Sequence, residues 1–289
     1  GYDAQYMAGF FKTLERKTAQ AGSEELPDFL STHPNPGERN VTVGQLATEW
    51  KQKLNLINPK VNGNEYLKRI EGLVYGEDPK QGFLENSVFY HPELKLQFSI
   101  PQNWAYQNTP QSVQLAAKDG KAMMMLMLAP GTSLRDAATA TMQQYKLQAV
   151  DSREVNVNGL SAIAVVADQQ TQQQEQQQAA APIRTLSYFI QHGSNIYHLI
   201  GVSAVNDFNT YAPFFESSMK SFRELTDASK INKKPERVRI KTVRQDGTLE
   251  QALRANNVQD KRLQEFAILN GKQLTDRVSS GTLIKVIEE

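Results

Sequence analysis

The amino-acid sequence predicts an α+β fold: an N-terminal helical segment, a middle domain built on an antiparallel sheet, and a small strand-helix-helix-strand unit at the end. Three observations predict it. Apolar residues recur at helical spacing in residues 1–81, alternate with polar ones through much of residues 82–228, and return in a short mixed pattern in residues 235–289. With 289 residues the chain is long enough for two or three packed units, and those three ranges are taken as its domains.

In the first range Tyr6, Phe10, Phe11 and Leu14 place an apolar stripe on a helix running to about Ala19. Gly22, Pro27, His33-Pro34, Pro36 and Gly37 then break regular structure, and a second helical face follows with Val43, Leu46, Ala47, Trp50 and Leu54. Asn58-Pro59 ends it. A third, short helix from Asn64 carries Tyr66, Leu67, Ile70 and Leu73.

The middle range changes period. Leu94, Leu96, Phe98 and Ile100 alternate with polar residues as a half-buried strand closed by Pro101, and Val113 and Leu115 begin another. After the turn Lys118-Asp119-Gly120, the unbroken apolar run Ala122 to Leu128 reads as a central strand buried on both faces, with Met123, Met124, Met125 and Met127 in the core. Ser133 is an N-cap for a helix through Tyr145. Asn158-Gly159 joins strands at Glu154–Val157 and Leu160–Ala167, and Gly193-Ser194 joins strands at Ile183–Gln191 and Asn195–Ser203. The glutamine-rich tract Gln169–Gln178, with no apolar residue to bury, reads as a mobile hairpin loop. A last helix from Asp207 presents Tyr211, Phe214, Phe215, Met219 and Phe222 to one antiparallel sheet.

The third range reads as strand Val238–Val243, a helix from Thr248, a helix from Asp260 closed by Asn270-Gly271, and strand Leu283–Ile287. Just ahead of it, and into its first strand, positive charge collects. Lys230, Lys233, Lys234, Arg237, Arg239, Lys241 and Arg244 accompany one acid, Glu236, and this run reads as a solvated linker and edge strand in preference to a polyanion-binding patch. The whole chain carries a formal net charge of +1, which argues against a dedicated nucleic-acid binder. The mean hydropathy of −0.52 describes a polar surface. No run approaches the roughly 20 apolar residues of a bilayer span, so no transmembrane segment is expected.

Chemistry is sparse. Without cysteine there are no disulfides, thiolate metal ligands or thiol nucleophiles. The four histidines, His33, His91, His192 and His198, include no pair at HExxH spacing, and neither a G-x-S-x-G elbow nor a phosphate or dinucleotide loop is present. His91-Pro92 looks like a turn element. His192 and His198 bracket a hairpin turn and read as strand histidines with ordinary hydrogen bonds in preference to a metal pair. The carboxylate pairs Glu24-Glu25 and Glu288-Glu289 fall in flexible or terminal stretches. In Leu30-Ser31-Thr32-His33-Pro34-Asn35-Pro36-Gly37-Glu38-Arg39 two prolines stiffen a turn that presents His33 and Arg39; on the residues alone it is a helix joint in which they cap neighbouring carbonyls.

That loop, together with Gly1-Tyr2-Asp3-Ala4, Met7, Phe10-Phe11, Leu26-Pro27 and Phe29-Leu30 in the same order, resembles the segment following the zinc-binding core of HtpX and prenyl-protease-like gluzincin metallopeptidases, particularly their secreted or periplasmic bacterial branch. The resemblance implies a zinc-dependent parent enzyme whose HExxH histidines and third-ligand glutamate lie outside these residues, so neither metal nor cofactor ligands are expected in this chain. It implies that His33 faces the zinc cleft of the parent and that Arg39 anchors the turn against neighbouring acids. The middle range, through Phe89-Tyr90-His91-Pro92-Glu93-Leu94, Phe98-Ser99-Ile100-Pro101 and Trp104, is similar to PsbP-like domains, which serve as accessory or partner-binding modules. The end, through Gly247-Thr248-Leu249, Asn270 and Gly281-Thr282-Leu283-Ile284-Lys285-Val286, resembles a LysM-like unit. LysM units bind N-acetylglucosamine polymers; with no aromatic pair in the loops here, docking on a neighbouring domain is the alternative. The function these resemblances imply is that of an accessory binding region of a periplasmic or secreted metallopeptidase, with its own upstream catalytic domain, protein substrates or peptidoglycan as partners. The alternative is a stand-alone envelope-binding protein with no enzymatic parent.

Overall fold

Helical periodicity in the first residues produces helices. A computed structural model describes residues 1–20, 36–169 and 181–289. Helix α1 spans Gln5–Gln20, α2 Pro36–Lys53 and α3 Gly63–Ile70. Pro36 and Gly37, expected in the loop, instead form the first turn of α2, where the fixed φ of proline suits a helix start. The loop residues before them, His33 included, lie outside the described residues. The predicted apolar stripes are present but hardly used: Phe11 is 3% exposed, whereas Phe10 is 55% and Trp50 53% exposed.

The middle of the chain begins with the short strands β1 (Phe83–Glu85), β2 (Val88–His91) and β3 (Leu96–Ser99). Asn86 and Ser87, both at positive φ, form the two-residue turn between β1 and β2. Strands β4 (Ala105–Asn108), β5 (Ser112–Ala116) and β6 (Ala122–Leu128) lead to helix α4 (Leu134–Gln144), whose N-cap Ser133 accepts a hydrogen bond from the Asp136 amide. Then come β7 (Leu147–Val157), β8 (Leu160–Gln169), β9 (Ile183–His192), β10 (Asn195–Ala204), helix α5 (Phe208–Lys220), the two-residue β11 (Arg223–Glu224) and the short α6 (Ala228–Ile231). The last part contains β12 (Arg237–Thr242), β13 (Gly247–Thr248), α7 (Leu249–Ala255), α8 (Leu263–Leu269), β14 (Arg277–Val278) and β15 (Leu283–Glu288). Thr248 and Gln251 close a reciprocal capping box at the start of α7. The glutamine tract beyond Gln169 lies outside the described residues.

By packing, the described residues form two compact units, Gly1–Gly76 with Glu236–Glu289, and Glu77–Pro235. The first and third ranges of the sequence therefore share a unit. In the Glu77–Pro235 unit one antiparallel sheet was the expectation, and the described strands form two. Strands β1, β2, β3 and β11 make a four-stranded sheet, while a seven-stranded antiparallel sheet runs in the order β4-β5-β6-β10-β9-β8-β7. Leu94 and Lys95, the latter at φ 48°, lie in the turn between β2 and β3, so the strand expected from Leu94 starts at Leu96, and the chain passes from the small sheet to the large one between Ser99 and Ala105. Strand β7 begins well before the expected Glu154, at Leu147, and carries a bulge between Ala149 and Asp151.

Each face of the large sheet meets one helix. Leu186, Tyr188 and Ile190 of β9 and Tyr197 and Leu199 of β10 pack with Phe208, Tyr211, Phe215 and Met219 of α5, and Phe89, Leu96 and Phe98 of the small sheet join the same core. On the other face Ile163, Val165, Ala167 and Phe189 pack with Ala137 of α4. Helix α4 reaches β7, β8 and β9 and stops there. This corrects the reading of β6 as buried on both faces: Ala122, Met124 and Leu126 are buried, whereas Met123 is 47% exposed and Met125 and Met127 are half-buried. One methionine of the four is core.

The chain of α5 comes close to β10 at Gly201, where an added Cβ would overlap the ring of Phe215, which is completely buried. Replacing Gly201 by Ala is therefore expected to lower stability by about 1–3 kcal/mol, the usual range for overpacking a filled core. Equilibrium urea unfolding measures this, and an unchanged midpoint would contradict the packing described.

Candidate functional site

The residues singled out in the sequence are dispersed by the fold. Arg39 sits in α2 with its guanidinium 4.3 Å from the centre of the Phe11 ring on α1, a cation-π contact that ties the two helices together. His91 ends β2, where its Nδ1 accepts from the Leu94 amide at 3.2 Å, the turn role expected of it; burial pushes its ring below the usual imidazole range. His192 and His198 lie on opposite faces of the large sheet. In the β9–β10 register Asn195 faces His192 and Phe189 faces His198, and Phe189 and His192 lie an odd number of residues apart on β9, so the two rings take opposite faces. His192 Nε2 is 3.2 Å from the Leu94 carbonyl, and His198 Nε2 is 3.0 Å from the Ser187 hydroxyl. Among the described residues no three His, Asp or Glu side chains come together in a metal-ligand arrangement.

The basic run is also rearranged. Lys230 and Lys233 both bind Glu85, Arg239 binds Glu71 and Lys241 binds Glu288, so most of the charge read as a solvated stretch is paired. Lys230 and Lys233 belong to one unit and Arg237 to Arg244 to the other. Glu288, read as a terminal carboxylate in solvent, is held in β15 by Lys241.

Residues 1–76 carry much of the exposed apolar surface of the described residues. Of the twenty large apolar side chains exposed among the described residues, thirteen lie within residues 1–76. The apolar residues buried there are Ala8, Phe11 and Ala47. Met7 and Phe10 on α1, Leu46 and Trp50 on α2, and Leu54, Ile57 and Val61 beyond it are exposed. Beside them lies a cleft of about 510 Å³ whose walls include Tyr2, Tyr6 and Tyr66. The helical stripe was readable from sequence; its exposure was not, because periodicity marks an apolar face without saying what covers it.

In the same unit the small β12–β15 ladder has its open edge closed from within. The Val238 amide donates to Leu73 O at 2.9 Å, and the amides of Gly72 and Tyr75 donate to Val238 O and Glu236 O at 2.8 and 2.7 Å. Farther along, Glu71 Oε2 accepts from the Ile240 amide at 2.6 Å. Tyr75 is fixed by Glu265, and burial with this hydrogen bond pushes its phenol up to about 12. Arg262 binds both Glu236 and Glu265. The loop after α8 is covered as well, Arg16 of α1 donating to Lys272 O at 3.0 Å.

No protein-family profile matches the chain, and no curated protein matches it. Solved structures similar to it include the cyanobacterial PsbP (CyanoP) of Synechocystis sp. PCC 6803, at 10% identity over 47% of this chain and 91% of that one, with a TM-score of 0.39. The Ran-binding protein Mog1p of Saccharomyces cerevisiae is similar at 8% identity over 51% and 99%, with a TM-score of 0.38. LpqN of Mycobacterium tuberculosis, involved in cell envelope biogenesis, is similar at 8% identity over 57% and 98%, with a TM-score of 0.33. The architecture is of the α+β class, with N-terminal helices and antiparallel sheets. None of the described helices is long and apolar enough to cross a membrane.

The buried His198 gives the Glu77–Pro235 unit a pH dependence. Its ring stacks on Phe189 at 4.3 Å, and burial pushes it down to about 3. In the unfolded chain the ring takes up a proton near pH 6.5, so below that value the unfolded state binds more protons and stability falls until the folded ring itself titrates. The contribution is complete above about pH 6.5 and declines by up to about 1.4 kcal/mol per unit as pH drops towards 3. Urea unfolding of the wild type and His198→Leu between about pH 7 and pH 4 is expected to show a shallower decline in the variant. Parallel declines would place the ring's titration elsewhere.

Proposed function

We propose that the chain is the non-catalytic binding portion of a periplasmic or secreted zinc metallopeptidase, with helices α1 to α3 docking against the catalytic domain. The observation that carries this reading is the uncovered apolar surface of residues 1–76. Helices of this length draw most of their stability from burying an apolar face, and contiguous exposed apolar surface of this kind marks an interaction site. The order of Gly1-Tyr2-Asp3, Phe10-Phe11 and Arg39, which resembles the segment after the zinc core of gluzincins, supports a peptidase domain as the partner. The strand-helix-helix-strand end then acts as a docking module and not as a glycan reader, a choice supported by its closed β12 edge and by the helix α1 contact on the loop after α8. The Glu77–Pro235 unit is an accessory module.

Backbone hydrogen exchange tests the reading. Amides of Gln5–Gln20 and Pro36–Lys53 are expected to exchange quickly in this chain alone and to be protected about tenfold or more when it is joined to a domain bearing HExxH encoded upstream in its reading frame. Absence of such a domain, or equal exchange with and without it, would favour a stand-alone envelope-binding protein.

A further inference from the structure

The cleft beside the exposed helices has a chemistry of its own. Tyr2, ahead of α1, and Tyr6, in its first turn, are each 67% exposed, and Tyr66, on α3, is 59% exposed. The walls are held in place by backbone bonds: the Lys60 amide donates to Gly1 O at 2.8 Å, the Asp3 amide donates to Lys60 O at 3.1 Å, and Tyr66 N–H donates to Asn62 O at 3.0 Å. Tyr2 and Lys60 thus form a parallel bridge that fixes one side of the opening.

The charges around it are unequally engaged. Asp3 accepts from the Gln5 amide at 3.0 Å and pairs with Lys51 at 3.7 Å, and Glu65 pairs with Lys68 at 2.8 Å. Lys60 and Arg69, which also line the cleft, have no side-chain ion pair among the described residues. Both acids are therefore compensated by cations outside the lining, and the two cations are left for a ligand. Lysine and arginine are donors without acceptor capacity, and each tyrosine hydroxyl can donate as well as accept. An acceptor-rich, anionic chain with flat rings to lie on the tyrosines answers the site, and an extended peptide bearing carboxylates and prolines has those properties. Grooves walled by aromatic side chains take proline-rich segments because such segments are already extended and lose little entropy on docking.

We infer that the cleft between Tyr2, Tyr6 and Tyr66 binds an extended acidic peptide, with the tyrosines stacking on its prolines and Lys60 and Arg69 holding its carboxylates. This extends the binding role proposed above, and its test uses the 289-residue chain without any catalytic domain, so its failure leaves the hydrogen-exchange result to judge that role separately.

The probe is a short synthetic peptide of alternating glutamate and proline, titrated calorimetrically, with its glutamine-proline counterpart and soluble peptidoglycan fragments in parallel. The glutamate peptide is expected to bind, more weakly as salt rises. Tyr66→Ala should weaken it by at least about tenfold, the loss expected for an aromatic anchor. Arg69→Gln, which leaves Lys60 in place, should narrow the difference in affinity between the glutamate and glutamine peptides. Both side chains are exposed, so circular dichroism and thermal melting of the variants should match the parent chain. Equal affinity for the two peptides in the parent, undiminished binding in Tyr66→Ala, tighter binding of the peptidoglycan fragments, or no binding by the peptide would each overturn the inference.

Discussion

A seven-stranded sheet has two faces to keep dry, and much of the Glu77–Pro235 unit follows from how unequally they are served. One face meets α5 together with the aromatic side chains of the small sheet, and it builds the largest core of the molecule. The other meets α4, which spans β7 to β9 and leaves the methionine side of β6 half-open. Close approach is what makes the first face efficient. Gly201 lets the Phe215 ring sit directly on the strand, and Trp104 packs edge-on against that same ring at 6.1 Å between centroids. His198 is retained on the second face as a neutral ring because it stacks on Phe189 and shares a hydrogen bond with Ser187, so its polarity is satisfied where water does not reach.

The other unit lives under a different constraint. Its C-terminal part has an ordinary core, with Leu249, Leu253, Phe266, Ile284 and Val286 buried around the β12–β15 ladder. Residues 71–75 bind along that ladder's edge, and helix α1 rests on the loop after α8. These contacts are largely polar. They fix the N-terminal helices in place while leaving most of the large apolar side chains of α1 and α2 exposed.

Most elements were legible in the sequence where a period and a punctuation mark coincided. Asn158-Gly159 and Gly193-Ser194 mark hairpins that the structure contains, and Ser133 and Thr248 cap the helices expected of them. The run Ala122–Leu128 was misleading for a physical reason: every position is apolar, so alternation between core and solvent leaves no trace in residue type. The division into two sheets was hidden because the small sheet is completed by Arg223 and Glu224 pairing with Gln97 and Leu96, a contact between distant residues that leaves no local signal. The pairing of Glu71 with Ile240 and Arg239 joins residues 169 and 168 positions apart and has no local signal. The tyrosine cleft was only partly readable: Tyr2 and Tyr6 stand four apart, but Tyr66 reaches them through tertiary folding.

The outer strand β7 is long and exposed along most of its length, the kind of edge on which further strands add. Its bulge breaks the regular spacing of donors and acceptors, and Asp151, Arg153 and Glu154 place charge where an incoming strand would need to pack. The opposite edge, β4, is four residues long. Growth of this sheet from copy to copy is thereby discouraged at both ends, by charge and a bulge at β7 and by shortness at β4.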